Sequence, residues 1–235
     1  MNERKLAAFT LLELLVAICV VVVLAALLGG VTLRSLKISS VAKCTMNLRQ
    51  IAGALLISAG DRNNTFLPYA ARETDVPGEY EDRWSAVLIE RGYLSPGSDI
   101  FRCPAFPANT DLKTNWSVSM QAGSRWVHYG YNNSHVGGSF RYGGEKFKAA
   151  RLAELTVPSR TILLADSLRP TPSGPRGGYI LEDRKGSDYI PDARHEGRLT
   201  VAFADGHVEA IPIADKENPW KELGSAMAAD SLWKR

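Results

Sequence analysis

The sequence predicts an α+β protein in which a long N-terminal helix, membrane-spanning in its first half, packs by its second half on a small antiparallel β-sheet domain. Three observations predict this fold class. Residues 14–33 carry no charge, residues 41–59 repeat apolar side chains three or four positions apart, and residues 199–203 alternate ahead of an Asp-Gly turn. The expected segments are a leader at 1–8, a transmembrane half at 9–33, an amphipathic half at 34–60 and a β-rich globular domain at 61–235.

The first half of the helix is an apolar run with one acid near its start. About 20 apolar residues span a bilayer as a helix, and the uncharged run at 14–33 reaches that length. It is too long, and lacks a small-residue cleavage site at its far end, for a removable secretory signal. A carboxylate beside such a run needs a partner or a role. The run therefore predicts a membrane segment in which Glu13 has a function.

The second half of the helix is amphipathic. Its apolar side chains recur as one buried helix face requires: Val41, Cys44, Leu48, Ile51 or Ala52, Leu55 and Ala59. No proline occurs before Pro68, so one helix over about residues 9–59 is the simplest interpretation, roughly 75 Å long at 1.5 Å per residue. Gly60 and the turn formers at 61–64 predict its end.

The globular domain contains short elements between loops rich in Gly, Pro and Asn. In chain order we expect a helix at 84–91, an extended segment at 101–104, a strand at 126–132, a helical turn at 152–155, a buried strand at 161–166 and a surface loop at 169–190. The clearest element is a hairpin. Its strands lie at 199–203 and 208–213, and Asp205-Gly206 is a tight-turn signal between them.

Residues 9–14 read Phe-Thr-Leu-Leu-Glu-Leu after a short charged leader. This stretch resembles the class III signal of type IV prepilins and type II secretion pseudopilins. The resemblance implies cleavage between Ala8 and Phe9 by a membrane-bound prepilin peptidase, methylation of the new Phe9 amine, and assembly of subunits through Glu13. The family usually has Gly before the Phe, and this chain has Ala8. Phe9 and Glu13 are four apart and share a helical face, so an ammonium on Phe9 can meet the carboxylate in the same chain or a neighbour.

A second resemblance lies near the C-terminus. His195, nine further residues and then Asp205-Gly206 are similar to the C-terminal signature of a large family of prepilin-like proteins. Cys44, the Phe-Arg-Cys-Pro segment at 101–104 and the Tyr-Gly-Tyr-Asn segment at 129–132 also resemble that family. The resemblance implies a pilin-like fold. It also implies a single-pass protein of the bacterial cytoplasmic (inner) membrane, with a cytoplasmic leader and a C-terminal domain that is periplasmic, extracellular or part of a surface filament.

Two of the three cysteines are a candidate disulfide. In an oxidising compartment Cys44 and Cys103 would close a loop of about 60 residues, which contributes about 4 kcal/mol in the chain-entropy model. The alternative is two separate buried thiols. Neither cysteine has a Cys or His at metal-ligand spacing, so no metal site is expected there. Cys19 lies in the apolar run and is interpreted as a small apolar residue.

Acidic and histidine side chains of the C-terminal half allow two interpretations. His195, His207, Asp166 and Asp205 could converge as a cation site or an acid/base pair. Alternatively, His195 and Asp205 cap hairpin backbone groups and fix the strand register. The oxygen-rich turn from Asp183 to Asp192 is a candidate for Ca²⁺, as in some pseudopilins, although it has no EF-hand pattern. No other cofactor is expected.

Composition and motifs exclude several functions. A net charge of +3 and the lack of a basic stripe interleaved with aromatics argue against nucleic acid. The sequence has no Gly-x-Ser-x-Gly, no Gly-rich phosphate loop and no His-Glu-x-x-His, so we expect no enzyme. The first hypothesis is a pilin-like structural subunit whose partners are a prepilin peptidase, like subunits and membrane lipid. The alternative is a membrane-anchored extracytoplasmic binding module or enzyme acting on polysaccharide or another envelope substrate, with tryptophans lining its face: Trp84, Trp116, Trp126, Trp220 and Trp233.

Overall fold

The computed structural model describes residues 10–71, 82–96, 99–106, 127–138, 148–172, 174–183, 188–224 and 232–233. At 27–36, 70–71 and 82 the description covers the backbone alone. The chain forms two compact units, Met1–Ser39 and Ser40–Arg235. The leader at 1–8 and the Ala8–Phe9 cleavage site lie outside the described residues.

One helix accounts for most of the N-terminal quarter of the chain. Helix α1 runs from Leu11 to Asp61 and continues through Gly29 and Gly30. In the C-terminal unit its buried face is the one that the spacing predicts, with these apolar residues fully buried: Cys44, Leu48, Ile51, Ala52, Leu55 and Ala59. The helix ends one residue beyond Gly60. Asn63 and Asn64, with φ of 55° and 58°, supply the left-handed backbone that follows it.

The prediction that the first half of α1 spans a membrane is wrong for this structure. Within the described part of the chain, no helix combines the length and the apolar character that crossing a membrane requires. The expected single-pass topology and inner-membrane localisation are corrected with it.

Most of the C-terminal unit is built on a sheet. Described strands of this sheet are β3 (Tyr129–Asn132), β4 (Ile162–Arg169), β5 (Arg176–Gly177), β6 (Ile180–Leu181), β7 (Ile190–Pro191), β8 (Arg198–Phe203) and β9 (Val208–Pro212). Their order is β6-β3-β4-β8-β9, and β5 and β7 pair with β4. Separately, β1 (Ala70–Ala71) pairs with β2 (Asp82–Arg83). The helices after α1 are short: α2 (Trp84–Glu90), α3 (Trp220–Leu223) and 3-10 turns at Asp99–Phe101, Leu152–Glu154 and Pro158–Arg160.

The sheet is mixed, so the expectation of an antiparallel sheet is also wrong. Strand β6 runs parallel to β3, with Tyr131 opposite Ile180. Strands β5, β6 and β7 all fall in or at the end of the segment 169–190, which the sequence predicts to be a surface loop. The prediction failed because each strand is only two residues long, too short for an alternation pattern to be read.

Two apolar clusters lie against the sheet. The larger contains the buried face of α1, Trp84 of α2 and Tyr129 and Tyr131 of β3. The smaller contains Leu199, Val201 and Phe203 of β8 together with residues of the C-terminal segment, among them Trp220 and Trp233. The alternation at 199–203 arises because successive side chains of a strand point to opposite faces. The predicted hairpin is confirmed, with β8 and β9 paired antiparallel from Arg198–Pro212 to Ala202–Val208.

Candidate functional site

The N-terminal unit presents an apolar surface. The large apolar side chains between Leu11 and Leu24 are 50% to 82% exposed. Successive helical residues are about 100° apart, so the five consecutive apolar residues at 20–24 cover every side of the helix. Contiguous exposed apolar patches of more than a few hundred Å² are rare on monomeric soluble proteins, and larger ones are typical of interaction sites.

Glu13 lies at the start of α1 and takes part in a capping box. Its Oε2 accepts hydrogen bonds from the Thr10 backbone N–H (2.9 Å) and the Thr10 hydroxyl (2.8 Å), and that hydroxyl accepts the Glu13 N–H (3.2 Å). The Thr-x-x-Glu pattern at residues 10–13 is a helix-start signal from which this cap could have been predicted. The bonds from Thr10 lower the pKa of Glu13, so the side chain is a carboxylate at neutral pH. Its Oε1 has no partner among the described residues.

Cys44 and Cys103 are joined by a disulfide in the structure, with Cα atoms 5.5 Å apart. Cys44 lies on the buried face of α1, and Cys103 follows the 3-10 turn Asp99–Phe101. The bridge ties the helix to the loop that precedes β3. Cys19 is a free, exposed cysteine in the apolar segment.

His195 and Asp166 lie beside this disulfide. The His195 Nε2 is 3.4 Å from Cys103 Sγ and 3.4 Å from Asp166 Oδ2. One ligand atom from each of the two cysteines, His195 and Asp166 lies within 4.8 Å of the others, and all four residues are buried. We call these four residues the Cys-His-Asp cluster.

Local backbone geometry places Asp166 and His195 in the cluster. Asp166 lies in the central strand β4, opposite Tyr129 of β3. His195 precedes β8 and closes a tight turn on Arg198, in which Glu196 and Gly197 have φ of 54° and 82°. Two consecutive left-handed residues are the pattern of a type I′ turn. The turn directs His195 back into the core beside β4.

The electrostatics of the cluster are those of a desolvated site. Burial raises the pKa of Asp166, although Arg194 and His195 oppose the shift. Burial also lowers the pKa of His195, against the opposite effect of Asp166. The Arg194 Nε lies 3.9 Å from Asp166 Oδ1 and 2.8 Å from Asp192 Oδ2. Burial therefore disfavours the charged forms of both side chains.

Neighbouring side chains orient the two cysteines. The Tyr129 hydroxyl donates to Cys44 Sγ at 3.3 Å, and burial raises the pKa of Tyr129, so it remains a donor. The Cys103 N–H donates to His128 Nδ1 at 2.9 Å. Burial, with Arg194 nearby, lowers the pKa of His128 to about 2. His128 is therefore a neutral acceptor that holds the Cys103 backbone.

The four candidate residues named from the sequence form two separate pairs in the structure: His195 with Asp166, and His207 with Asp205. His195 and Asp166 form the buried pair. Asp205 lies in the β8–β9 turn, where its Oδ1 accepts the His207 N–H (3.1 Å) and lies 2.6 Å from His207 Nδ1. The two pairs are at opposite ends of β8. Gly206, with φ of 91°, provides the left-handed residue of the turn, so Asp205 and Gly206 shape the hairpin while His195 enters the core.

The acids of the candidate Ca²⁺ turn pair with basic side chains. Asp183 Oδ2 lies 2.6 Å from His135 Nε2, Asp188 contacts Arg169 at 3.1 Å, and Asp192 contacts Arg194. Three of the tryptophans considered for a carbohydrate face, Trp84, Trp220 and Trp233, are buried. Trp116 and Trp126 lie outside the described residues. Residues 184–187 of the turn also lie outside the described residues, so both ideas stay predictions.

The sequence predicted the two halves of the cluster separately, Cys44 with Cys103 and His195 with Asp166, but not their meeting, because the four residues come from distant segments. Cys103 and His195 are 92 residues apart, so no ligand spacing could identify them. Arg194 was missed as well. The available signal was the buried strand ending in Ala165-Asp166, since a buried carboxylate needs partners.

Comparisons with protein families, with curated proteins and with solved structures find no match to this chain.

Proposed function

We propose that this protein is a pilin-like or pseudopilin structural subunit, processed before Phe9 by a prepilin peptidase and assembled through its N-terminal helix. The assembly is of the type IV pilus or type II secretion kind. The prepilin-like stretch at 9–14 supports the processing step. The exposed apolar segment of α1 supports the assembly step, and it is the observation on which the proposal chiefly depends.

The distribution of apolar side chains supports like segments of other copies as the partners of this surface. A one-sided stripe would suit a single groove or a single partner helix. Between Leu11 and Leu24 the exposed apolar side chains occupy all sides of the helix, so several neighbours are needed to cover them. Copies of the same segment meet that requirement, because each supplies the apolar surface that the others need.

Glu13 provides register in such a bundle. An anionic group among apolar helices is tolerated when a cation pairs with it. Cleavage before Phe9 creates an amine four residues from Glu13, and the Oε1 of Glu13 has no partner among the described residues. Pairing of this oxygen with the Phe9 amine of a neighbouring subunit fixes the axial position of one helix against the next.

The buried His195–Asp166 pair does not favour the enzyme alternative. In a nucleophilic relay the nucleophile faces one imidazole nitrogen and the carboxylate faces the other. Here Cys103 and Asp166 both approach Nε2, and all three residues are buried. We therefore assign no catalytic role to this pair.

The mature N-terminus tests the processing step. Mass spectrometry of the protein from cells that contain a prepilin peptidase should find a chain beginning at N-methylated Phe9. Ala8→Gly, which restores the residue usual in the family, should be processed at least as fully. A chain that still begins at Met1 in functional protein would contradict the proposal.

Three variants separate the charge of Glu13 from its capping role. Glu13→Gln keeps a side chain that can close the capping box but removes the charge. It should raise the concentration needed for assembly about tenfold or more, because a buried charge pair contributes more than about 1.4 kcal/mol. Thr10→Ala weakens the cap but keeps the charge, and should assemble nearly normally. Glu209→Gln removes an exposed acid in β9 and is the matched control. Normal assembly of Glu13→Gln would remove the docking role.

A further inference from the structure

We propose that the reduced form of the chain binds one zinc ion through the Cys-His-Asp cluster, that is, through Cys44, Cys103, Asp166 and His195. Two thiolates, an imidazole and a carboxylate are all donors that zinc accepts in four-coordinate sites. Their ligand atoms lie within 4.8 Å of one another. The site is assembled by the tertiary fold and does not depend on the proposed assembly function.

The distances fit neighbouring ligands of a tetrahedral ion. With metal–ligand bonds of about 2.0–2.3 Å, adjacent donors of a tetrahedron lie roughly 3.3–3.8 Å apart. Cys103 Sγ and Asp166 Oδ2 are each 3.4 Å from the same nitrogen, His195 Nε2. A nitrogen that faces two other donors at this distance is arranged as one ligand among several.

One oxygen of the buried Asp166 carboxylate accepts no hydrogen bond within the described part of the chain. Asp166 is fully buried, and its Oδ1 accepts no hydrogen bond from the described residues. Leaving a buried carboxylate oxygen unsatisfied is unfavourable, and an ion bound to the Asp166 carboxylate would compensate for it.

Charge balance and outer contacts support the same assignment. Two thiolates and one carboxylate bring three negative charges to a divalent ion, and the buried Arg194, whose Nε lies 3.9 Å from Asp166 Oδ1 and 2.8 Å from Asp192 Oδ2, is the cation beside them. The Tyr129 hydroxyl donates to Cys44 Sγ, and the Thr200 N–H donates to Asp166 Oδ2 at 3.1 Å. Hydrogen bonds of this kind orient the ligands of protein metal sites.

The disulfide and the zinc site are alternative states of one cysteine pair. A thiol or phosphine reductant supplies two electrons, and with two protons the S–S bond breaks to give two thiols. Binding of Zn²⁺ then forms two Zn–S bonds and releases both thiol protons. Oxidation by a disulfide or by dioxygen removes two electrons, re-forms the S–S bond and releases Zn²⁺.

Zinc titration of the full-length chain, purified with a phosphine reductant, tests the proposal. We expect one zinc per chain, measured by metal analysis and by competition with a chromophoric chelator. His195→Ala should bind zinc at least about a hundredfold more weakly, because loss of an outer contact alone weakens binding 10–100-fold. Cys19→Ser and His207→Ala are matched controls outside the cluster and should bind like the wild type.

Cobalt substitution gives an answer that does not depend on variant folding. The reduced wild-type chain with Co²⁺ should show thiolate-to-cobalt charge transfer and the intense visible bands of tetrahedral Co²⁺, and oxidation to the disulfide should abolish both. The proposal is overturned if the reduced chain binds no zinc, if His195→Ala binds like the wild type, or if the cobalt spectrum lacks thiolate charge transfer.

Discussion

At the scale of single residues, pairing determines which polar groups this protein can bury. Asp166 is tolerated in the central strand because Arg194, His195 and the Thr200 N–H surround it. Cys44 and Cys103 meet because α1 passes the loop ahead of β3. Asp183 is stabilised by His135 at the rim of the sheet. The disulfide and the Asp183–His135 pair each lead to a prediction that can be measured.

The disulfide should contribute substantially to stability. Its cysteines are 59 residues apart, a loop length for which the chain-entropy model gives about 4 kcal/mol. With a metal chelator present throughout, reduction should lower the free energy of unfolding by about that amount in denaturant titrations. Cys19→Ser should show the same difference. Equal stability of the two forms, or two alkylatable thiols at 44 and 103 in the unreduced protein, would contradict the prediction.

The Asp183–His135 pair should make stability depend on pH. The hydrogen bond from His135 lowers the pKa of Asp183 from its usual 3.8. The stabilisation is therefore fully present above 3.8 and is lost as the pH falls through the lower folded-state value. Asp183→Asn should reduce the free energy of unfolding by about 1 kcal/mol at pH 5, and the difference from wild type should shrink as the pH falls below 3.8.

Asp188→Asn is the control for this pH dependence. Asp188 pairs with Arg169 on the surface and is largely exposed, and such pairs contribute about 0–1 kcal/mol. Its variant should differ little from wild type at either pH. A loss for Asp183→Asn that stays constant down to pH 2 would show that the pair acts through packing and not through charge.

At the scale of elements, α1 has two different surfaces. Between Cys44 and Ala59 most of its apolar side chains form one buried face of the C-terminal unit. Between Leu11 and Leu24 they are exposed on all sides. The first surface stabilises the subunit, and the second, in our proposal, joins subunits together.

Substitutions two positions apart should report the buried face. Leu55 is fully buried, while Ile57 on the same turn is 63% exposed. Leu55→Ala should lower the free energy of unfolding by about 2–5 kcal/mol because it leaves a cavity. Ile57→Ala should change it by less than about 1 kcal/mol. Equal effects in denaturant titrations would mean that the helix does not pack as described.

Local patterns predicted some elements well and others poorly. The buried face of α1 and the β8–β9 hairpin were predictable because their signals lie within a few residues of the sequence. The parallel strand β6 was not, because Ile180 and Leu181 form a strand only through contact with β3. The Cys-His-Asp cluster was not predictable either, since its two central contacts join segments brought together by the fold. The apolar run was read as membrane-spanning from its length alone.

At the scale of the whole molecule, the chain has a folded C-terminal unit and a helical segment with apolar side chains on all sides. The core of the C-terminal unit is closed by α1 and the sheet, whereas the large apolar side chains between Leu11 and Leu24 are exposed. In our proposal, assembly covers that segment, and Glu13 sets the register.

The reactivity of Cys19 tests this central claim most directly. Cys19 is exposed within the apolar segment and is the free cysteine when Cys44 and Cys103 are bridged. Its rate of modification by a maleimide can be measured below and above the assembly concentration. The account predicts a rate at least about tenfold lower in the assembled protein, with no such protection in Glu13→Gln at the same concentration. Equal rates in the dispersed and assembled wild-type protein would contradict the account.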